Sequence, residues 1–117
     1  ELISWLFKKQ YREKVEQEYF EGFYRLDIVI PDLQLNIEVD GPTHYRGENL
    51  RRADKFRDFI LEKYFKWTVI RIPHFEYYLK QSYEDKRDYL LLKLAKYKGN
   101  FNHSARTRLE ELQSAQN

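Results

Sequence analysis

Two short runs of alternating polar and apolar residues, separated by one break, constrain this chain more than any other feature. Residues 23–30 and 34–40 both alternate, and Pro31-Asp32 interrupts them. Alternation of this kind is typical of a strand with one buried face, and proline followed by aspartate favours a turn. The two runs therefore predict an antiparallel β-hairpin.

A tight turn at Asp32-Leu33 determines which residues face each other across this hairpin. Every apolar residue on one face then lies opposite another apolar residue, as a half-buried sheet requires. The predicted apolar pairs are Ile28–Ile37, Leu26–Val39 and Ile30–Leu35.

The same register brings two carboxylates together on the other face. Asp27 lies opposite Glu38, and Arg25 lies opposite Asp40. Directly opposed side chains are about 5 Å apart at Cβ, where like charges repel. A divalent cation would compensate the pair, and oxygen ligands without sulfur favour Mg²⁺ or Mn²⁺. The alternative is a pair of ordinary exposed carboxylates, with Asp40 in a plain salt bridge to Arg25.

Beyond the hairpin, the hydrophobic periodicity predicts helices and two further strands. The predicted order is α-β-β-β-α-β with a mixed sheet and a C-terminal helix, which is an α/β fold. The elements are a helix over 1–12, strands over 15–20, 23–30 and 34–40, a helix over 48–65, a strand over 67–72 and a helix over 83–97.

The helix over 48–65 carries an apolar stripe that is predicted to pack on the sheet, with its charged residues facing solvent. The stripe consists of Leu50, Ala53, Phe56, Ile60 and Tyr64. Beside it lies a cluster of basic residues that suits phosphate contacts, although a solvated helix face explains such a cluster equally well. The predicted nucleic-acid contacts are Arg46, Arg51, Arg52 and Lys55.

Length and composition narrow the class of protein. A chain of 117 residues is expected to form one domain, here residues 1–98, with 99–117 as a tail that is a short helix or a linker. Thr107 and Glu110 would form a capping box for that helix.

The absence of cysteine excludes thiol catalysis and disulfides. No apolar run approaches the roughly 20 residues that span a bilayer, so an intracellular, cytoplasmic protein is expected. The first residue is Glu1 rather than methionine, which suggests either a processed chain or a piece of a longer chain with further domains.

Residues in and around the hairpin resemble the very-short-patch-repair-like branch of the PD-(D/E)xK nuclease superfamily. The resemblance covers residues 1–76 and implies a restriction-endonuclease-like fold that hydrolyses phosphodiester bonds with metal-activated water. It rests on Arg25-Leu26-Asp27, Ile37-Glu38-Val39-Asp40-Gly41, His44, Asp54, Arg57-Asp58 and Trp67-Thr68-Val69-Ile70-Arg71.

This resemblance also implies roles for individual residues. Asp27 and Glu38 would bind Mg²⁺ or Mn²⁺, helped by the backbone carbonyl of Val39. Asp40 falls where the superfamily usually has a catalytic lysine, which leaves open which group orients the water. His44 falls near the position of a catalytic histidine and would act as general acid or base.

A second resemblance leads to a different function. The run Glu38-Val39-Asp40-Gly41-Pro42-Thr43-His44, followed by Ile72-Pro73, is similar to the RAP domain of organellar RNA-processing proteins. That domain is regarded as a relative of the same superfamily, and the likeness implies an RNA-binding module that keeps the fold without turnover.

Three functions are therefore open at this stage. The leading hypothesis is a metal-dependent endonuclease, acting on DNA rather than RNA, either as a single chain or as a homodimer. The first alternative is a RAP-like RNA-binding module. The second is a protein-interaction domain of a larger protein that uses its aromatic residues as an interface. The aromatic residues Trp67, Phe75, Tyr77 and Tyr78 are expected in the core or at a partner interface rather than as stacking surfaces for bases.

Overall fold

The computed structural model describes residues 5–6, 10–97 and 99–115. The backbone divides into two compact units. The sheet unit is Glu16–Leu79, and the helical unit combines Glu1–Val15 with Lys80–Asn117. Most of the helix predicted over residues 1–12 lies outside the described residues, and the predicted boundary between residues 98 and 99 stays a prediction.

The sheet unit contains a four-stranded mixed sheet, whose strands in spatial order are β1 (Glu16–Glu21), β2 (Tyr24–Ile30), β3 (Leu35–Asp40) and β6 (Thr68–Pro73). The first three strands are antiparallel neighbours, whereas β6 runs parallel to β3. This arrangement confirms the predicted α/β class. The strands β4 (Tyr45–Arg46) and β5 (Asn49–Leu50) form a separate two-stranded sheet.

The hairpin of β2 and β3 has the predicted register. Ile28 faces Ile37 and Ile30 faces Leu35, and all four side chains are buried. A short 3-10 turn over Pro31–Leu33 joins the strands, because proline fixes a backbone angle that such a turn needs. The predicted core face of the sheet is therefore confirmed over this ladder.

The helix that follows, α1 (Arg52–Lys63), turns a different face to the sheet from the one predicted, although Ile60 of the predicted stripe is half-buried. Phe56 and Tyr64 are 62% and 63% exposed, while Leu61 is fully buried. The half-buried positions of the helix include the charged residues Asp54, Arg57 and Asp58. The predicted inward stripe was wrong, because the sheet presents buried charges to this helix and buried charges require charged partners.

The start of α1 also differs from the prediction. Residues 45–50 form the small hairpin of β4 and β5 instead of a first helical turn, with Gly47 in the left-handed region at φ 66°. A residue without Cβ adopts that conformation at little cost. The backbone N–H of Arg51 donates to the carbonyl of His44 at 2.9 Å, which holds the start of the helix beside this hairpin.

A short helix, α2 (His74–Tyr77), follows β6 and completes the sheet unit. The helical unit contains α3 (Tyr83–Leu94) and α4 (His103–Ala115). The predicted inward residues of α3, which are Leu90, Leu91 and Leu94, are buried. No helix in the described part of the chain is long and apolar enough to cross a membrane.

The start of α4 is set by a residue other than the predicted one. Asn102 accepts a hydrogen bond from the backbone N–H of Ala105 at 3.1 Å, so it caps the helix. Thr107 lies one turn further on, and its hydroxyl donates to the carbonyl of His103 at 3.0 Å. The predicted capping box at Thr107 was therefore wrong, although a C-terminal helix is present.

Candidate nucleic-acid interface

Glu38 lies at the centre of the charged residues that α1 covers. It is only 6% exposed, because its strand alternation directs it toward the charged face of the helix. One carboxylate oxygen accepts from Arg57 Nη1 at 2.9 Å, and the other accepts from the backbone N–H of Asp27 at 3.3 Å. Burial raises the pKa of Glu38 above its ordinary value, and the positive charge of Arg57 opposes that rise. Both oxygens are thus engaged.

Asp27 lies close to Glu38, as the register predicted. Its side chain is exposed, and its negative charge contributes to the raised pKa of Glu38. The ladder between β2 and β3 begins one residue later, at Ile28, so Asp27 donates its backbone N–H to the Glu38 carboxylate instead of pairing with a strand carbonyl. The structure therefore brings together the first two predicted site residues.

Asp40 is held by a residue that the sequence prediction did not consider as its partner. Arg71 Nη1 donates to both oxygens of Asp40, at 2.8 and 2.7 Å. The other nitrogens of the same guanidinium donate to Asp58 at 2.7 and 2.6 Å, and Tyr45 donates its hydroxyl to Asp40 at 3.0 Å. The alternative of a salt bridge from Arg25 to Asp40 is wrong, because Arg25 pairs with Glu18 on the neighbouring strand at 2.9 Å.

His44 lies at the edge of this group. Its Nδ1 is 2.9 Å from Asp54 Oδ1, and the side chain is half-exposed. Asp54 is also 3.9 Å from Arg71 Nη2, which links the histidine to the buried ion pairs. A carboxylate on one ring nitrogen orients the imidazole and leaves the other nitrogen available. The group formed by Asp27, Glu38, Asp40, His44, Tyr45, Asp54, Arg57, Asp58 and Arg71 is here called the charged cluster.

The donor set of the charged cluster does not suit Mg²⁺. Magnesium needs several oxygen ligands in octahedral geometry, whereas the oxygens of Glu38 and Asp40 are already taken by guanidinium, hydroxyl and amide donors. Among the described residues there is no group of three or more acidic or histidine side chains placed to hold a metal ion. Val39, the third expected ligand, lies in the ladder opposite Ile72. The expected cofactor stays a prediction.

The four predicted phosphate contacts do come together, on the outer side of the sheet unit. Arg46, Arg51, Arg52 and Lys55 line one surface concavity of about 680 Å³, together with Asn49, Leu50 and Ala53. All four basic side chains are exposed, and none of them forms an ion pair with a residue that the structure describes. This group is called the basic surface.

The comparison with known proteins adds one finding. Residues 37–93 match the RAP domain. The RAP match begins in β3 and ends in α3, so it contains the basic surface and most of the charged cluster, while Asp27 lies before it. No curated protein and no solved structure matches the chain. The RAP resemblance is thus supported, and no comparison supports the very-short-patch-repair branch.

Arg57 and Arg71 organise the charged cluster, although neither was predicted to have a functional role. A signal for Arg71 was present, since a charged residue in the middle of the apolar strand Thr68–Pro73 must find a buried partner. The signal for Arg57 was weaker, because it lies among other charges on a helix that was expected to face solvent.

Proposed function

We propose that this chain contains a RAP-like module that binds RNA through its basic surface. The observation that carries the proposal is the convergence of four exposed cations on one concavity, without carboxylate partners among the described residues. Contacts to phosphate make up most of the hydrogen bonds in nucleic-acid complexes, and arginine and lysine supply them. The match to the RAP domain favours RNA over DNA, since the resemblance to that domain of organellar RNA-processing proteins implies RNA binding.

The first turn of α1 strengthens the attraction for phosphate. The first backbone N–H groups of a helix have no partner within the helix, and its start carries a partial positive charge. Arg51 occupies the cap position without a side-chain hydrogen bond to these groups. The one acidic residue of this turn, Asp54, points toward His44. An anion can therefore approach the start of α1 between Arg51 and Arg52.

The charged cluster has a structural role in this proposal. Arg57 and Arg71 neutralise the buried carboxylates of β3 and connect them to α1, the helix that carries much of the basic surface. Its ion pairs thereby fix the orientation of the helix, and the RNA-binding residues face outward as a result. No step of catalysis is assigned to it.

The proposal is tested by equilibrium binding of labelled single-stranded RNA, double-stranded RNA and the corresponding DNAs. Arg52→Ala/Lys55→Ala should weaken binding of RNA at least about tenfold. The matched control is Lys96→Ala/Arg106→Ala, which removes the same charge from exposed positions in the helical unit and should leave affinity within about twofold. Failure of the intact chain to bind any RNA would overturn the proposal and favour a protein-interaction domain.

A second candidate is the metal-dependent endonuclease that the sequence predicts, with DNA as its substrate; it requires a cation to displace the donors that hold Glu38 and Asp40 in this structure. The pairing of His44 with Asp54 favours it, since an oriented histidine is a suitable proton donor or acceptor. The same nucleic acids are incubated with Mg²⁺, Mn²⁺ or EDTA. Metal-dependent cleavage that is lost in both Asp27→Ala and Glu38→Ala would establish this candidate. If none of the nucleic acids is cleaved, the endonuclease is excluded and the RNA-binding module stays as the proposed function.

A further inference from the structure

The outward face of α1 combines aromatic rings with positive charges. Phe56 is 62% exposed and Phe59 is 49% exposed, and they lie three residues apart on one side of the helix. Arg52, Lys55 and Lys63 occupy neighbouring positions on the same side. This group of five residues is called the stacking face.

The aromatic rings of the stacking face do not belong to the hydrophobic core. The opposite side of α1 is occupied by the charged cluster and by Leu61, so the rings are turned to solvent by the ion pairs that hold the helix. Lys63 Nζ lies 5.3 Å from the centre of the Phe59 ring and 5.7 Å from that of Tyr64, which places a cation beside the rings. A ligand of this face must therefore make favourable contacts with both the aromatic rings and the positive charges.

We infer that the stacking face binds the unpaired bases of single-stranded RNA, a substrate class that rests on the proposed RNA-binding function. Single-stranded nucleic acids bind proteins by stacking bases on aromatic rings while cations follow the backbone, and this is the combination found here. Bases in a duplex are stacked on each other and cannot reach the rings of Phe56 and Phe59. The basic surface shares Arg52 and Lys55 with this face, so one strand can contact both.

Charge complementarity favours an RNA strand over an apolar partner. The exposed positions of the stacking face hold three cations, and Glu62 is the one acid at its margin. Arg52 to Lys63 extends about 16 Å along the helix at 1.5 Å per residue, so the face covers at most about five stacked nucleotides.

The test compares Phe56→Leu/Phe59→Leu with Phe56→Tyr/Phe59→Tyr in binding to single-stranded and double-stranded RNA. The leucine variant keeps an apolar surface but loses the rings, so its affinity for single-stranded RNA should fall about tenfold, or about 1.4 kcal/mol. The tyrosine variant should bind as the intact chain does. Binding of double-stranded RNA should be unchanged in both, and Phe23→Leu serves as the control because that ring is fully exposed in the turn between β1 and β2.

The remaining outcomes distinguish failure of the stacking role from failure of the proposed RNA-binding function. Unchanged affinity of the leucine variant for single-stranded RNA, together with loss of binding in Arg52→Ala/Lys55→Ala, would overturn the stacking role and leave the proposed function in place. No RNA binding by the intact chain would overturn both. A dimer in sedimentation that dissociates in the leucine variant would instead assign the face to a second copy of this chain.

Discussion

At the scale of single residues, the attachment of α1 to the sheet depends most on Arg71. Its guanidinium is shared between Asp40 on β3 and Asp58 on α1, and its side chain is only 11% exposed. Burial lowers the pKa of Arg71, but its hydrogen bonds to Asp58 and Asp40 and the charges of these carboxylates raise it further, so the guanidinium stays protonated. Buried pairs of this kind cost desolvation energy, but loss of one partner costs more because it leaves a buried charge uncompensated.

We therefore expect Arg71→Met to destabilise the fold by about 3–5 kcal/mol. The measurement is the free energy of unfolding from denaturant titration followed by circular dichroism. Arg25→Met is the matched control, since its pair with Glu18 is exposed and should contribute no more than about 1 kcal/mol. Equal effects of the two substitutions would contradict the assignment of Arg71 as the organising residue.

Glu38 predicts a pH dependence with a defined sign. Its pKa in the folded chain is raised above the ordinary value of 4.5, so the folded state holds the proton more tightly than the unfolded state does. The stabilising contribution of this linkage is complete below pH 4.5 and is lost as the pH rises through the folded pKa. Unfolding of the intact chain is compared with that of Glu38→Gln at a series of pH values. The stability of the intact chain should fall relative to the variant as the pH rises, and the opposite trend would show that Arg57 dominates over burial.

At the scale of elements, local patterns predicted the strands but not the orientation of α1. The register of Ile28 with Ile37 followed from alternation and a proline turn, which are both local. The inward face of the helix depends on Arg71, which enters from a strand beyond the helix. Apolar periodicity alone could not reveal that the ion pairs outweigh burial of Phe56. The shared location of the basic residues was predictable, because most of them lie within a few positions of the helix start.

The orientation of α1, with Leu61 buried and Phe56 exposed, predicts unequal effects of two apolar substitutions. Leu61→Ala should cost about 2–5 kcal/mol, because Leu61 is fully buried with Leu26, Val29 and Trp67. Phe56→Ala should stay within about 0.5–1 kcal/mol, since that ring is largely exposed. Denaturant unfolding of both variants measures the difference. A larger loss for Phe56 would indicate that the stripe predicted from the sequence is the packed face after all.

At the scale of the whole molecule, the net charge of +2 is too small to attract a polyanion by itself. Positive and negative side chains are instead separated within the sheet unit, so that one part of its surface can attract a polyanion. Glu38, Asp40 and Asp58 are paired with Arg57 and Arg71 on the covered side of α1, while the basic surface faces solvent without carboxylate partners in the described part of the chain. Affinity for RNA should therefore depend on a few identified cations rather than on the total charge.

The most direct test of this account is the salt dependence of single-stranded RNA binding, measured for the intact chain and for Arg52→Ala/Lys55→Ala. Each phosphate contact on a single strand contributes about 0.7 to the slope of log affinity against log salt concentration. The account predicts that the slope is smaller by about 1.4 in the double variant, and unchanged in Lys96→Ala/Arg106→Ala. An identical slope in all three proteins, or no RNA binding at all, would contradict it.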